Sequence, residues 1–178
     1  MQAIQNKSAR MNDLIHLLFE YVKLDSEGFS LDRKETDLSE LLRENAALIY
    51  ADFEDAGMEF EIDIPEEVVS VSVDSIQFSR VITNLLNNAI EACEKCSGKK
   101  FMKMKLVKEK DNIIISVKNT YDGKLNIKDG EIQTSKKYEM DEHGVGIKNI
   151  IEVITKYQGS YAIRNDNNEF YFSVILPN

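Results

Sequence analysis

The stretch "NLLNNAIEA", residues 84–92, places three asparagines inside what otherwise reads as a buried apolar helix. Asparagine is a poor helix-interior residue because its side-chain amide competes for the backbone's own hydrogen bonds. Asn84 and Asn88 lie four apart and share a helix face, Asn87 is turned away from them, and Glu91 returns nearly into line. Leu85, Leu86, Ala89 and Ile90 supply apolar contact on the remaining surface. The polar stripe therefore reads as a pocket wall, where an amide oxygen is a neutral, hard ligand of the kind Mg²⁺ takes while bridging protein to phosphates. A solvated Asn/Glu stripe is the plainer alternative.

Upstream, Asp74 is a good N-cap for a long helix from Ser75 to about Cys96, and "MEFEIDI" and "VVSVSV" read as strands before it. Asp37 caps another helix through about Ala56 with Gly57 as its stop, and "FSLDRKETD" is a short extended piece. Gly28 breaks an amphipathic helix over residues 3–25, whose Ile4, Met11, Leu14, Ile15, Leu18 and Val22 form a wide apolar stripe. Such a stripe wants a second copy alongside it, as in a helical bundle. Two domains follow, residues 1–27 and 28–178.

Downstream, "KKFMKMKLVKEK" and "NIIISVKN" read as strands joined by a tight turn at residues 110–112. Met102, Met104 and Leu106 take one face, and Lys103 and Lys105 the other as a solvated sheet edge. From Thr120 to about His143 periodicity disappears, and a polar loop that long in a compact domain reads as a functional lid. "GVGIKNIIEVITKYQG" is a helix introduced by two glycines and stopped by Gly159, followed by strands "SYAIR" and "EFYFSVIL" around an Asp166-Asn167-Asn168 turn. The expected fold class is an α/β two-layer sandwich with a mixed, mostly antiparallel sheet.

The 178-residue chain carries a net charge of −9 with its acidic residues spread along it, which gives no electrostatic support to nucleic-acid or anionic-membrane binding. No apolar run approaches a membrane span and "MQAIQNKSARMND" lacks the apolar centre of a signal peptide, so a soluble, cytosolic segment is expected. Cys93 and Cys96 form a lone C-x-x-C without a second ligand pair, and two reduced thiols on one helix face are expected.

"HGVGIKN", residues 143–149, sets glycine, any residue, glycine at a helix start, where backbone N–H groups and the helix dipole can face a polyphosphate. The long polar loop before it does not suit a dinucleotide fingerprint, and no G-x-x-x-x-G-K-[ST] loop is present. In this order "NLLNNAIEA", a strand ending in "SVKN", a lid and "HGVGIKN" resemble the ATP-binding domain of sensor histidine kinases, within the gyrase, heat-shock chaperone, kinase and MutL superfamily. "ETDLSELL", "MEFEIDIPEE" and "SVDSIQFSRVITNLL" look like that domain's lead-in, and residues 3–25 resemble the second helix of its dimerisation hairpin. The replacement of an aspartate by Asn119, with "TSK" in the lid, is similar to a peptide-sensing and citrate-type subgroup.

The resemblance implies a Bergerat-type ATP-binding fold and, as cofactors, ATP and Mg²⁺. Asn88 would coordinate the metal, Asn84 would line the phosphate region, and Gly144 and Gly146 would bring backbone amides to the triphosphate. Glu91, Val145 and Ile147 would line the same nucleotide site, with Lys136 and His143 as phosphate contacts from the lid. Hydrolytic members of the superfamily carry a glutamate where this chain has Asn84, an amide that cannot act as a general base, so phosphoryl transfer is favoured over hydrolysis. The family's adenine motif D-x-G-x-G meets "VKNTYDGKL" here: Asn119 takes the aspartate's place, the glycine spacing departs, and Asp122 is the alternative reader. His16 is followed by Leu17 rather than an acidic residue, so the acceptor histidine is expected upstream of Met1. The implied protein is the cytosolic kinase portion of a membrane-anchored sensor, a homodimer through its N-terminal helix, with a response regulator as partner. The competing reading is a non-catalytic phosphotransfer or scaffold relative with degraded nucleotide binding; a superfamily ATPase and an anti-sigma-type serine kinase stand further off.

Overall fold

The computed structural model of the protein describes residues 30–123, 126–128, 131–133, 142–166 and 168–178, and for 126–128, 131–133 and 142–146 the backbone alone. The helix expected over residues 3–25 and most of the expected lid, Lys136 included, lie outside the described residues. A compact unit runs from Arg33 to Asn178. Its first half comprises β1 (Lys34–Asp37), α1 (Leu38–Leu48), α2 (Tyr50–Asp55), β2 (Glu59–Asp63), β3 (Ser70–Val73) and α3 (Ser75–Glu94). Then come β4 (Phe101–Lys108), β5 (Asn112–Thr120), β6 (Asn126–Lys128), β7 (Glu131–Gln133), α4 (Glu142–Lys156), β8 (Ser160–Asp166) and β9 (Glu169–Pro177).

Five strands form the main sheet in the order β2-β4-β5-β9-β8, parallel at β2–β4 and antiparallel elsewhere. Period-two alternation decides which face is apolar. Met102, Met104 and Leu106 of β4, Ile113, Ile115 and Val117 of β5, and Phe172, Val174 and Leu176 of β9 are all buried on it. α3 supplies the other layer, with Phe78, Val81, Ile82, Leu85, Leu86 and Ala89 buried and with α1, α4 and β5 packed against it. Its start is fixed by the Asp74 carboxylate, which accepts from the backbone N–H groups of Ile76 and Gln77 at 3.1 Å each. The expected two-layer sandwich is the observed architecture. Among the described residues no helix is long and apolar enough to cross a membrane.

Four details differ from expectation. The single helix expected between Asp37 and Ala56 breaks at Ile49, where the backbone leaves helical geometry (φ −110°, ψ 11°) and Ile49 stays buried. The redirected α2 brings Phe53 to a 4.2 Å ring contact with Phe60 of β2. Lys103 and Lys105 do not lie at a sheet edge, because β2 pairs outside β4; Lys103 Nζ meets Glu61 at 2.6 Å and Lys105 Nζ meets Asp63 at 3.0 Å. The stretch expected to be wholly loop contains the β6–β7 antiparallel pair.

The fourth concerns the end of α4. The left-handed residue there is Gln158 (φ 59°), whose N–H bonds Thr155 O at 2.9 Å while Gly159 N–H bonds Ile154 O at 3.1 Å, a Schellman closure. Gly159 answers a different need: a Cβ there would lie 2.7 Å from the Ile175 carbonyl oxygen.

Candidate functional site

Leu85, Asn88, Ala89 and Ala92 fall at i, i+3, i+4 and i+7 of α3, so one helix face presents them together. Opposite them the β5–β9 register pairs Val117 with Phe172 and Asn119 with Phe170. With Tyr121, just past β5, and Ile147 from α4, these side chains enclose a pocket of about 120 Å³, far more than one water requires. Every described residue lining it is uncharged.

Two amides bring polarity to that pocket. Asn119 is 1% exposed and donates its Nδ2 to the Thr120 carbonyl at 2.8 Å, which leaves its oxygen as the end able to accept from a ligand. Asn88 carries a buried Nδ2 with no hydrogen-bond partner, a state that costs about 1–3 kcal/mol unless something else engages the amide. A half-turn of the amide exchanges its ends, so it offers a donor or an oxygen ligand. Asn88 is thus held at the pocket wall with its amide nitrogen unsatisfied.

The donor set fits a phosphate-bridging Mg²⁺ better than an all-protein cage. Among the described residues no three His, Cys, Asp or Glu side chains cluster around a possible ion; Mg²⁺ usually keeps several waters and is bound through one or two carboxylates plus substrate phosphates, and Asn88 would offer an amide oxygen in a carboxylate's place.

Asn84 lies half-buried one turn before Asn88 and Glu91 half-buried one turn after it on α3, and neither lines the pocket; Asn87 is exposed. Gly144, Val145 and Gly146 fall in the first turns of α4, with His143 and Glu142 before them. The glycines therefore do not introduce that helix; they lie inside its first turns, Gly144 among the first four N–H groups, which lack intrahelical partners, and Gly146 beyond them. Asp122 is exposed and does not line the pocket. Counted from Asn119, Gly123 keeps the second glycine position of the D-x-G-x-G pattern and Tyr121 replaces the first, so, against the expectation that the spacing departs, one of its two glycines stands in register. Tyr121 and Phe170, missed from the sequence, were findable by that count and by the β-pairing of Phe170 with Asn119. Nothing local in the sequence marks Asn149, on α4, which is 6% exposed with an unpartnered Oδ1.

Behind the pocket stand the two cysteines, both free and buried. Cys96 falls just beyond α3 rather than on it. Cys93 Sγ donates to the Thr120 and Phe101 carbonyls at 3.4 and 3.5 Å. Burial pushes both thiols above their ordinary range, as it does the Tyr121 phenol, so all three stand neutral around the site.

A sequence profile described as the GHKL domain matches residues 73–177. The sensor histidine kinase MtrB of Mycolicibacterium paratuberculosis is 26% identical over 114 residues, which are 64% of this chain and 20% of that protein. The chain thus spans about a fifth of that relative's length. Among solved structures, the histidine kinase AdeS of Acinetobacter baumannii superposes with a TM-score of 0.78 at 16% identity, over 99% of this chain and 82% of that one. The histidine kinase ThkA, solved in complex with the response regulator protein TrrA, gives a TM-score of 0.75 at 22% identity, over 98% of this chain and 49% of that one. These structural likenesses concern the fold.

Proposed function

The chain belongs to the GHKL domain family, and from that premise we propose that it is the ATP-binding kinase domain of a two-component sensor histidine kinase, delivering the γ-phosphoryl of ATP to a histidine. One observation carries the reading. The unsatisfied amide of Asn88 and the fixed amide of Asn119 open on one pocket whose described lining is uncharged, adjoined through Ile147 by the glycine-bearing start of α4.

In this reading Asn119 accepts from the amino group of adenine, Asn88 offers its oxygen to Mg²⁺, and Asn84 and Glu91 extend the polar wall along α3. The unpaired backbone N–H groups at the start of α4, Gly144's among them, take phosphate oxygens, favoured by the helix dipole, with Val145 and Gly146 lining that end of the helix. Lys136 and His143 are further phosphate contacts. Mg²⁺, when bound, neutralises phosphate charge, and catalysis on this chain is positioning and electrostatic stabilisation. An amide at Asn84 cannot deprotonate water, which sets transfer above hydrolysis. As an amide rather than a carboxylate, Asn119 forgoes charge assistance in its bond to the base, weakening ATP binding by on the order of 1 kcal/mol.

The rest of the reading concerns the whole protein: residues 1–27 as part of a dimerisation hairpin, a homodimer through that helix, a response regulator as downstream partner, and a cytosolic location. That ThkA was solved with its response regulator supports the class of partner. Incubating the whole protein that carries this chain with γ-labelled ATP and Mg²⁺ should give acid-labile, base-stable label on protein. Label that survives acid, or steady phosphate release with no labelled protein, contradicts the assignment.

A further inference from the structure

The pocket's base-facing wall contains a feature the kinase reading does not require. Tyr121 and Phe170 meet with ring centroids 6.0 Å apart and planes tilted by 51°, and both line the pocket together with Asn119. At that distance and tilt the rings already touch each other, so a flat ligand does not slide between them. The room for one is the corner they make, facing the α3 side chains that line the pocket.

The Tyr121 ring is held there from two directions. Its backbone N–H bonds the Asn168 carbonyl at 2.7 Å, tying the end of β5 to the β8–β9 turn. Gly123 leaves the space that the phenol end occupies: a Cβ at that position would lie 2.6 Å from the Tyr121 hydroxyl oxygen and 2.7 Å from Cζ. Tyr121 and Gly123 therefore work as a pair, the one supplying the aromatic surface and the other the room for it.

We propose that Tyr121 is a specificity-determining residue that holds the base of a purine nucleotide by aromatic contact, with Phe170 as its backing. The proposal rests on the kinase-domain reading above. Three features select a planar heterocycle bearing an N–H donor: the aromatic corner, the uncharged lining among the described residues, and an Asn119 amide whose Nδ2 is engaged by Thr120, so that its oxygen is the end that can accept. Base–aromatic contact makes up here for the charge assistance that an amide at position 119 lacks.

Calorimetric titration with a nonhydrolysable ATP analogue plus Mg²⁺, and separately with inorganic tripolyphosphate plus Mg²⁺, tests the claim on the native chain, Tyr121→Phe, Tyr121→Ala and Gly123→Ala. Tyr121→Ala should weaken the analogue by about tenfold or more and leave tripolyphosphate unchanged, which also certifies the variant as folded. Tyr121→Phe should stay close to native, and Gly123→Ala should follow Tyr121→Ala in direction because it displaces the ring. Unchanged analogue affinity in Tyr121→Ala, or equal loss of both ligands in Tyr121→Ala and Gly123→Ala, overturns this inference while leaving the kinase reading standing. A native chain that binds no analogue overturns both.

Discussion

At the scale of single residues, the fold makes opposite demands on two neighbouring positions. Gln158 takes a left-handed conformation that glycine adopts without strain, whereas Gly159 has an ordinary φ but no room for a side chain. Gln158→Gly is therefore expected to stabilise the domain by roughly 0.5–1 kcal/mol, and Gly159→Ala to destabilise it by about 1–3 kcal/mol. Urea unfolding of the two variants checks both signs. The sequence shows a glycine at the end of "ITKYQG", but it cannot show which of two adjacent residues turns left-handed, because that depends on how α4 meets β9. Spacing put Asn88 on a polar face of its helix, pocket wall or solvated stripe, and the family resemblance singled it out as a metal ligand. That its amide is unsatisfied was not legible, since satisfaction depends on every neighbour in space.

At the scale of elements, period and caps decided most of what could be read. α3 begins where Asp74 places it, and β4, β5, β8 and β9 follow the alternation of their apolar residues. The break at Ile49 was invisible because the apolar spacing runs through it without interruption; tertiary contact between Phe53 and Phe60 outweighs local continuity there. The place of β2 outside β4 was equally hidden, since pairing order is not a local property. β5 and β9 are also joined across the open face of the sheet by Lys118 and Glu169, 2.8 Å apart, with the Tyr171 hydroxyl donating to the same carboxylate. Lys118 first, then Tyr171, holds the Glu169 carboxyl below its ordinary range. A carboxyl depressed in the folded state adds stability above its unfolded value, about 4.3, and loses it as pH falls through the folded value. The stability gap between the native chain and Glu169→Gln should accordingly be constant at neutral pH and close in acid. A gap that widens on acidification would contradict the ion pair.

At the scale of the molecule, the sheet and α3 are a rigid frame that brings residues 88, 119, 121 and 147 to one pocket across long separations in sequence. Motif order suggested that meeting; only the fold displays it. The account also predicts an uncoupling of stability from function. An unsatisfied buried donor in a helix interior adds nothing to folding, and alanine is the better helix former by about 0.5 kcal/mol. The measurement that tests this most directly is calorimetric titration of native and Asn88→Ala chains with a nonhydrolysable ATP analogue, with and without Mg²⁺, beside their thermal unfolding. Asn88→Ala should unfold no earlier than the native chain, lose on the order of 100-fold in affinity, and lose the dependence on Mg²⁺. A variant that keeps full Mg²⁺-dependent binding would contradict the central claim.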